Sequence, residues 1–480
     1  MPTQTIYKAQ ATNREDSYYK QDVLDIDFDV LAKHSKPGPR YTSYPTANEF
    51  SKDFTSIDLQ RCLKDSDVYH RDKALSLYVH LPFCKSACYF CGCNVIYTSK
   101  EEKKDRYIRY LQKELSLLKD SLDTTRSVVQ LHFGGGTPTF FSAVQLQQIF
   151  IMIKEVFPNF SVDCEVSCEV DPRYFHDEQM AVLRENGCNR ISFGVQDFNL
   201  EVQKAINRIQ PIKLVENTVA IARKYGISSI NFDLIYGLPF QNVQSFLATL
   251  RDVVSLQPDR LAIFNYAHVP WVKKTMRKID ETTLPHPSHK LLMLKNIISF
   301  LQHHGYCMIG MDHFAKANDL LYLAQQKGEL RRNFQGYTTK GFSQTIGIGV
   351  TAIGEGVNYY TQNYKNMQEY EKALDSDKLP VACGIILQAE DIVRKEVIMN
   401  LMNTAQLDFT ALNKTFGIDF QLYFEKELQQ LQSFQDLGFL VIDSKGLKVN
   451  ATGNMLIRNI AMVFDTYLAK NIARQFSKTI

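Results

Sequence analysis

The chain has 480 residues, 45% of them hydrophobic, which is enough for a large core and more than one structural unit. Its 55 basic and 52 acidic residues leave a net charge of +3, so no global basic surface for nucleic acid is expected. No apolar run of ~18 residues occurs and the N-terminus has no signal-peptide-like stretch, so neither a membrane span nor export is expected.

In chain order, residues 1–60 are polar and include "KPGPRYTSYPT" (Lys36 to Thr46), which has no regular period. They read as an N-terminal arm packed on the unit that follows. Residues 61–370 alternate strand-like and helical patterns. The strands are "LSLYVHL" from Leu75, "VVQLHF" from Val128, "CEVSCEV" from Cys164, "RISFGV" from Arg190, "INFDLIY" from Ile230 and "RLAIFNYAH" from Arg260. After the first strand comes a helix with a capping box at Ser99 to Glu102 and one apolar face of Tyr107, Leu111, Leu115 and Leu118. Six such repeats predict right-handed βαβ units and a parallel sheet. The fold class is α/β. A partial (β/α)6 barrel is preferred over a flat sheet, because the chemically loaded residues lie just past the C-terminal ends of the strands. Residues 371–480 turn mostly helical, with a β-hairpin turning at Asp443 to Gly446, and read as a winged-helix-like C-terminal domain.

Four of the ten cysteines fall in "PFCKSACYFCGC": Cys84, Cys88, Cys91 and Cys93. The others, Cys62, Cys164, Cys168, Cys188, Cys307 and Cys383, are scattered and do not read as a disulfide framework. A reducing cytoplasm is the expected compartment. A structural zinc site takes four N or S ligands, usually from two separated knuckles. Here all four thiols share one short loop after a strand, which suits an iron–sulfur cluster better. Three thiolates can hold three irons of a cubane and leave the fourth iron open to a small chelating ligand. The second strand ends in Gly134 to Gly136, then Thr137 and Pro138. Glycines let a backbone approach a ligand closely, although alone such a run is an ordinary strand-to-helix turn. "GIGVTA", Gly347 to Ala352, fits a dinucleotide fingerprint only weakly, since "IGEGVNYY" after it is a poor helix start.

The C-x-x-x-C-x-x-C loop, with Phe90 before its third cysteine, resembles the radical S-adenosylmethionine (SAM) enzymes. Longer motifs narrow the resemblance to the oxygen-independent coproporphyrinogen III oxidases of bacterial haem synthesis. They are "GPRYTSYPTA" at Gly38, "YVHLPFCKSACYFCGCN" at Tyr78, "HFGGGTPT" at His132, "EVDPR" at Glu169 and "FGVQDFN" at Phe193. They continue with "DLIYGLP" at Asp233, "FNYAHVP" at Phe264, "GMDHFA" at Gly310, "NFQGYTT" at Asn333 and "IRNIAMVFDTYL" at Ile457. The match runs from about residue 34 to the C-terminus.

The resemblance implies one 4Fe-4S cluster held by Cys84, Cys88 and Cys91, its open iron chelated by SAM. It implies two SAM molecules. Tyr78, Gly135, Glu169 and Ile353 match positions around the first, and Phe90, Gly136, Thr137, Gln196, Arg208, Asp233 and Ala267 positions around the second. The polar types suit those tasks: Glu169, Gln196 and Asp233 can share hydrogen bonds with ribose hydroxyls and amines, and Arg208 offers a fork to a carboxylate. Cys93 is implied to lie near the chemistry without being a ligand. His80 shares a strand face with Tyr78 and is expected near the substrate or as a satisfied strand-end histidine. Arg40 matches an arm residue that holds or gates substrate.

The implied reaction turns two propionates of coproporphyrinogen III into vinyls, giving protoporphyrinogen IX. A reduced cluster passes an electron to SAM, the 5′-deoxyadenosyl radical takes a propionate β-hydrogen, and carbon dioxide and an electron leave. A reductant such as flavodoxin or ferredoxin and a monomeric state are implied as well. Four substrate carboxylates call for several basic pocket residues, which the sequence does not identify. Rival readings are a haem chaperone of the same superfamily, which typically lacks the fourth cysteine and the arm, and a nucleic-acid-modifying relative, which the near-neutral charge disfavours.

Overall fold

The computed structural model describes residues 28–34 and 36–468. The expectations for residues 1–27 and for the last twelve positions lie outside the described residues.

The predicted strands all form. They are β1 Leu75–Leu81, β2 Val128–Gly135, β3 Phe160–Val170, β4 Arg190–Gln196, β5 Ser229–Tyr236 and β6 Arg260–Asn265. They lie side by side in chain order, each pair parallel. Two further strands, β7 Tyr306–Gly310 and β8 His313–Lys316, extend the β6 edge antiparallel to it. At the other edge β9 Gln344–Ile348 runs parallel to β1, followed by antiparallel β10 Ile353–Glu355, β11 Tyr359–Asn363 and β12 Val381–Ile386. The twelve strands make one sheet whose two edges, β7 and β12, do not pair with each other. This is an open, partial barrel.

Period-two alternation gives the sheet two unlike faces. Leu77, Val79, Leu131, Phe133, Ile191, Phe193, Ile230 and Phe232 are fully buried on one face. They pack with helices α1 Ser56–Tyr69, α2 Glu101–Lys119, α3 Ala143–Val156, α4 Asp177–Glu185, α5 Ile212–Lys224 and α6 Val243–Ser255. Phe133 meets Phe150 of α3 edge-on at 4.9 Å, and burying each such ring stabilises the layer by about 2–3 kcal/mol. The alternate residues Gln130, His132, Glu165, Ser167, Arg190 and Asn231 face an interior cavity of about 180 Å³. This lumen is polar, and much of it is paired internally. Glu165 accepts from Gln130 at 2.8 Å and pairs with Arg190 at 3.2 Å.

The expected face of α2 is buried at Tyr107, Leu111, Leu115 and Leu118. Its capping box is not formed. The helix starts at Glu101 with Lys100 as N-cap, so Ser99 lies one residue too early to cap it. Instead the Lys100 N–H donates to the Thr98 hydroxyl at 3.1 Å. "GIGVTA" is the turn from β9 into antiparallel β10, with no helix after it.

After β12 come helices α8 Ala389–Thr404, α9 Phe409–Phe416 and α10 Glu425–Asp436. A three-stranded sheet joins them: β13 Gln406–Asp408, β14 Leu440–Ile442 and β15 Gly446–Val449, with β15 central. The hairpin turns at Asp443–Gly446, where one carboxylate oxygen of Asp443 accepts from the N–H groups of Lys445 and Gly446. A separate core of Val397, Leu401, Phe409, Phe420, Phe424 and Leu447 fills this part.

The arm divides between the two parts: Phe54 and Leu59 join the barrel core as expected, whereas Tyr41 and Tyr44 join this C-terminal core. Tyr41 donates to Asp465 at 2.8 Å, and buried Arg458 donates to the carbonyls of Gly38 and Pro39. Arg40, beside Tyr41, reaches across to the barrel side, pairing with Asp312 between β7 and β8 at 2.7 Å. Arm tyrosines need an apolar socket for the ring and a polar partner for the hydroxyl; the C-terminal core supplies both.

Candidate active site

The cysteine loop leaves the C-terminal end of β1 and is pinned at its base. The Ile96 N–H donates to the Pro82 carbonyl at 2.8 Å and the Thr98 N–H to the Cys84 carbonyl at 3.1 Å. Its middle is tied to the segment after β4: the Tyr89 N–H reaches the Ile206 carbonyl at 3.0 Å, and Asn207 donates to the Ala87 carbonyl at 2.7 Å. A 14-residue loop without a core of its own thus gains a fixed path.

Cys84, Cys88, Cys91 and Cys93 are free thiols on the wall of a cavity of about 480 Å³. Phe90, Gly135, Gly136, Thr137, Glu169, Gln196, Arg208, Asp233 and Ala267 line the same cavity. The structure therefore gathers thirteen of the residues singled out in the sequence. The remaining four lie elsewhere. Tyr78 and His80 sit behind the wall, on the inner face of β1. The Tyr78 hydroxyl donates to His80 Nδ1 at 3.0 Å and His80 Nε2–H to the Asn94 carbonyl at 3.1 Å, so both imidazole nitrogens are used. Burial pushes the His80 pKa down to about 4, which keeps it neutral. Tyr78 also stacks on His132, with ring centres 5.9 Å apart. Ile353 lies on β10, against Gly347, whose strand neighbour is Tyr78. Arg40 lines an adjoining cavity.

Glu169, near the end of β3, accepts from the Gly135 N–H at 3.2 Å and from His132 at 3.3 Å. Burial opposes its charge, but these donors outweigh it and hold the carboxyl below its ordinary value. Asp233, on β5, is held by Ser192 and Asn231, each at 2.8 Å. Burial pushes its carboxyl up to about 6, and nearby Glu169 adds to the shift. Gly135 has φ +112°, and a Cβ there would stand 2.7 Å from the His80 ring. Only glycine fits this turn.

Asp171 gathers Arg173 at 2.7 Å and Arg208 at 2.8 Å, and both guanidiniums reach the Cys88 sulfur, at 3.6 and 3.5 Å. Neither arginine's role around Cys88 was read in advance, although "EVDPR" contains Asp171 and Arg173. The second cavity, about 510 Å³, was also missed. It shares Asn265, Tyr266, Ala267 and Val269 with the first. Its walls are mainly apolar, with Arg40, His268, Lys290 and Arg458 as basic members. Asn265, His268 and Arg458 lie inside quoted motifs, whereas Lys290 carried no sequence signal.

The donor set suits a multi-iron cluster with a chelating cofactor. Guanidinium donors aimed at a sulfur suit a negatively charged thiolate cluster. In the same wall Arg208 Nε and Asn265 Oδ1 are buried without a hydrogen-bond partner, an unused donor and an unused acceptor for a polar ligand.

Comparisons with known proteins agree with this geometry. The Radical SAM superfamily model matches residues 78–253 and the HemN C-terminal domain model residues 387–456. The oxygen-independent coproporphyrinogen III oxidase of Helicobacter pylori is 60% identical over 455 residues, 95% of this chain and 99% of that one. The enzyme of the same name from Escherichia coli is 43% identical over 458 residues, again 95% and 99%. A solved structure of Escherichia coli coproporphyrinogen III oxidase, described as a radical SAM enzyme, superposes with a TM-score of 0.88 at 42% identity. That superposition covers 93% of this chain and 100% of the other. Fold and cysteine loop thus make this a protein of the radical SAM superfamily. Within it, the chain belongs to the oxygen-independent coproporphyrinogen III oxidases.

Proposed function

We propose that this chain converts two propionates of coproporphyrinogen III to vinyls without oxygen, giving protoporphyrinogen IX in haem synthesis. The observation that carries this reading is the pair of joined cavities. One is walled by thiols and polar strand ends; the other is apolar, rimmed by basic groups and large enough at about 510 Å³ to take much of a tetrapyrrole.

Cys84, Cys88 and Cys91 would hold the 4Fe-4S cluster, with Arg173 and Arg208 donating to the cluster side of Cys88. Bound there, the cluster and SAM supply a 5′-deoxyadenosyl radical that takes a hydrogen atom from the propionate β-carbon. Glu169, Gln196 and Asp233 present acceptors for SAM hydroxyls and amines, and Arg208 a donor for its carboxylate. Of the positions matched to a first SAM, Gly135 and Glu169 line the cavity while Tyr78 and Ile353 lie behind it; Phe90, Gly136, Thr137, Gln196, Arg208, Asp233 and Ala267, matched to a second SAM, all line it. Tyr78 and His80 act from behind: they brace the Gly135 turn that presents the cavity wall. Cys93, beside Cys91, would be spared from cluster binding and lines the same cavity. Arg40 guards the entrance of the second cavity from the arm.

Exposed Lys274, Arg277 and Lys278 follow Lys273, whose ammonium donates to the Cys93 carbonyl at 2.9 Å. This basic edge beside the cysteine loop suits an acidic one-electron carrier such as flavodoxin or ferredoxin. No helix among the described residues is long and apolar enough to cross a membrane. The same reading treats residues 1–60 as arm, 61–370 as catalytic unit and 371–480 as C-terminal cover, joined through edge strand β12.

The test is an anaerobic assay of the reconstituted protein with dithionite, SAM and coproporphyrinogen III. The expected products are protoporphyrinogen and about two 5′-deoxyadenosines per turnover. Deoxyadenosine without porphyrin change would refute the substrate, and haem binding would then be measured.

A further inference from the structure

We propose that Lys290 is the anchor for one substrate carboxylate, a specificity-determining residue that the family resemblance does not single out; this rests on the function proposed above. Lys290 sits in the first turns of helix α7, Pro287–His303, and projects into the second cavity. The argument is one of uncommitted charge. Of the basic side chains on that wall, Arg40 is paired with Asp312 at 2.7 Å. Arg458 donates to the carbonyls of Gly38 and Pro39. His268 is held between Tyr266 at 2.8 Å and Glu281 at 3.0 Å. Lys290 pairs with no carboxylate among the described residues. Its ammonium donates once, to the Tyr266 carbonyl at 3.0 Å, and lies 5.9 Å from the centre of the Tyr266 ring, which leaves capacity for two more hydrogen bonds.

A half-buried ammonium beside apolar walls costs free energy unless an anion joins it. Consistent with that cost, burial holds its pKa below the usual lysine value. The fold also makes room for this side chain. Gly237, just after β5, has φ +84°, and a Cβ there would stand 2.8 Å from Lys290 Cε and 3.1 Å from Nζ. The glycine lets the lysine stem cross the strand-end backbone and deliver its charge to the cavity. Leu294, Met308 and Phe314 line the apolar part of the same cavity, which suits the faces of a macrocycle bearing carboxylates at its edge. The carbonyl that steadies Lys290 belongs to Tyr266, within the segment both cavities share. A carboxylate held there sets the register of the macrocycle against the thiol-walled cavity.

The test compares wild type, Lys290→Gln and Lys290→Arg as reconstituted holoenzymes. With coproporphyrinogen III, Lys290→Gln should raise KM about tenfold, the size of one charge-assisted hydrogen bond, while kcat at saturation falls less than twofold. Lys290→Arg should restore most of the KM. In fluorescence titrations, Lys290→Gln should weaken binding of coproporphyrin III about tenfold and leave its tetramethyl ester unchanged. An unchanged KM and affinity, or equal weakening of acid and ester, would overturn the proposal. A wild type that makes no protoporphyrinogen would instead sink the proposed function. The acid-against-ester titration would then still decide whether Lys290 grips a carboxylate.

Discussion

The two joined cavities solve different problems. In the thiol-walled one nearly every charge is committed before any ligand arrives: Asp171 to Arg173 and Arg208, Glu169 to His132 and Gly135. In its neighbour the walls are apolar and a charge is left open at Lys290. A site that must aim one reactive atom needs fixed dipoles. A site that must admit a large polyanion needs smooth walls and a few waiting cations. The contrast predicts that damage to the first cavity abolishes chemistry, whereas damage to the second changes affinity.

The largest effect is expected from Cys84→Ala. It should lose bound iron and all 5′-deoxyadenosine formation, read by iron content and chromatography. Cys93→Ser should keep its iron; equal loss in both would erase the distinction between ligand and bystander. Next comes Gly135→Ala. A methyl against the His80 ring, at a positive φ, should displace the turn by a good fraction of an ångström and cut turnover about 100-fold. Stability should fall by only ~1–3 kcal/mol, so folded protein remains to be assayed.

Asp233 offers a graded test. Its carboxyl is raised from 3.8 to about 6, chiefly by burial. Ionising it therefore costs the folded state. The stability that its protonation brings is complete below the ordinary carboxyl pKa and is lost as pH rises through about 6. Asp233→Asn should flatten the pH dependence of Tm in that window, and an unchanged profile would show that another group titrates there. The smallest effect belongs to Arg40→Gln. Its pair with Asp312 is partly exposed, so KM for the porphyrinogen should rise only two- to fivefold, about 0.4–1 kcal/mol. A loss of turnover at saturation would move Arg40 into the chemistry and break the contrast.

The barrel was legible because its six strands alternate apolar and polar residues or end in loaded loops. Boundaries were not. β3 begins four residues before the predicted Cys164, where Val162 is fully exposed and gives no alternating signal. β6 stops at Asn265, since Tyr266 to His268 leave the ladder to form cavity wall. Short strands β10 and β13, each of three residues, are set by pairing across the fold and have no local signature. The cysteines were legible by spacing alone. Lys290 was not, because an uncommitted charge is a property of what surrounds it, and the surroundings come from β5, β6 and α7 together. The docking of Tyr41 and Tyr44 was not legible for the same reason: they announce burial without saying in which core.

That docking bears on how the protein is made. The wall of the second cavity carries Arg40 from near the start of the chain and Arg458 from near its end, and Arg458 holds the backbone beside Arg40. The six parallel strands can form on the ribosome as they emerge. The chamber cannot be completed until the last few dozen residues have left it. A chain cut short before Arg458 would carry the cysteine loop without an enclosing wall, because translation order makes the container the last part to be finished.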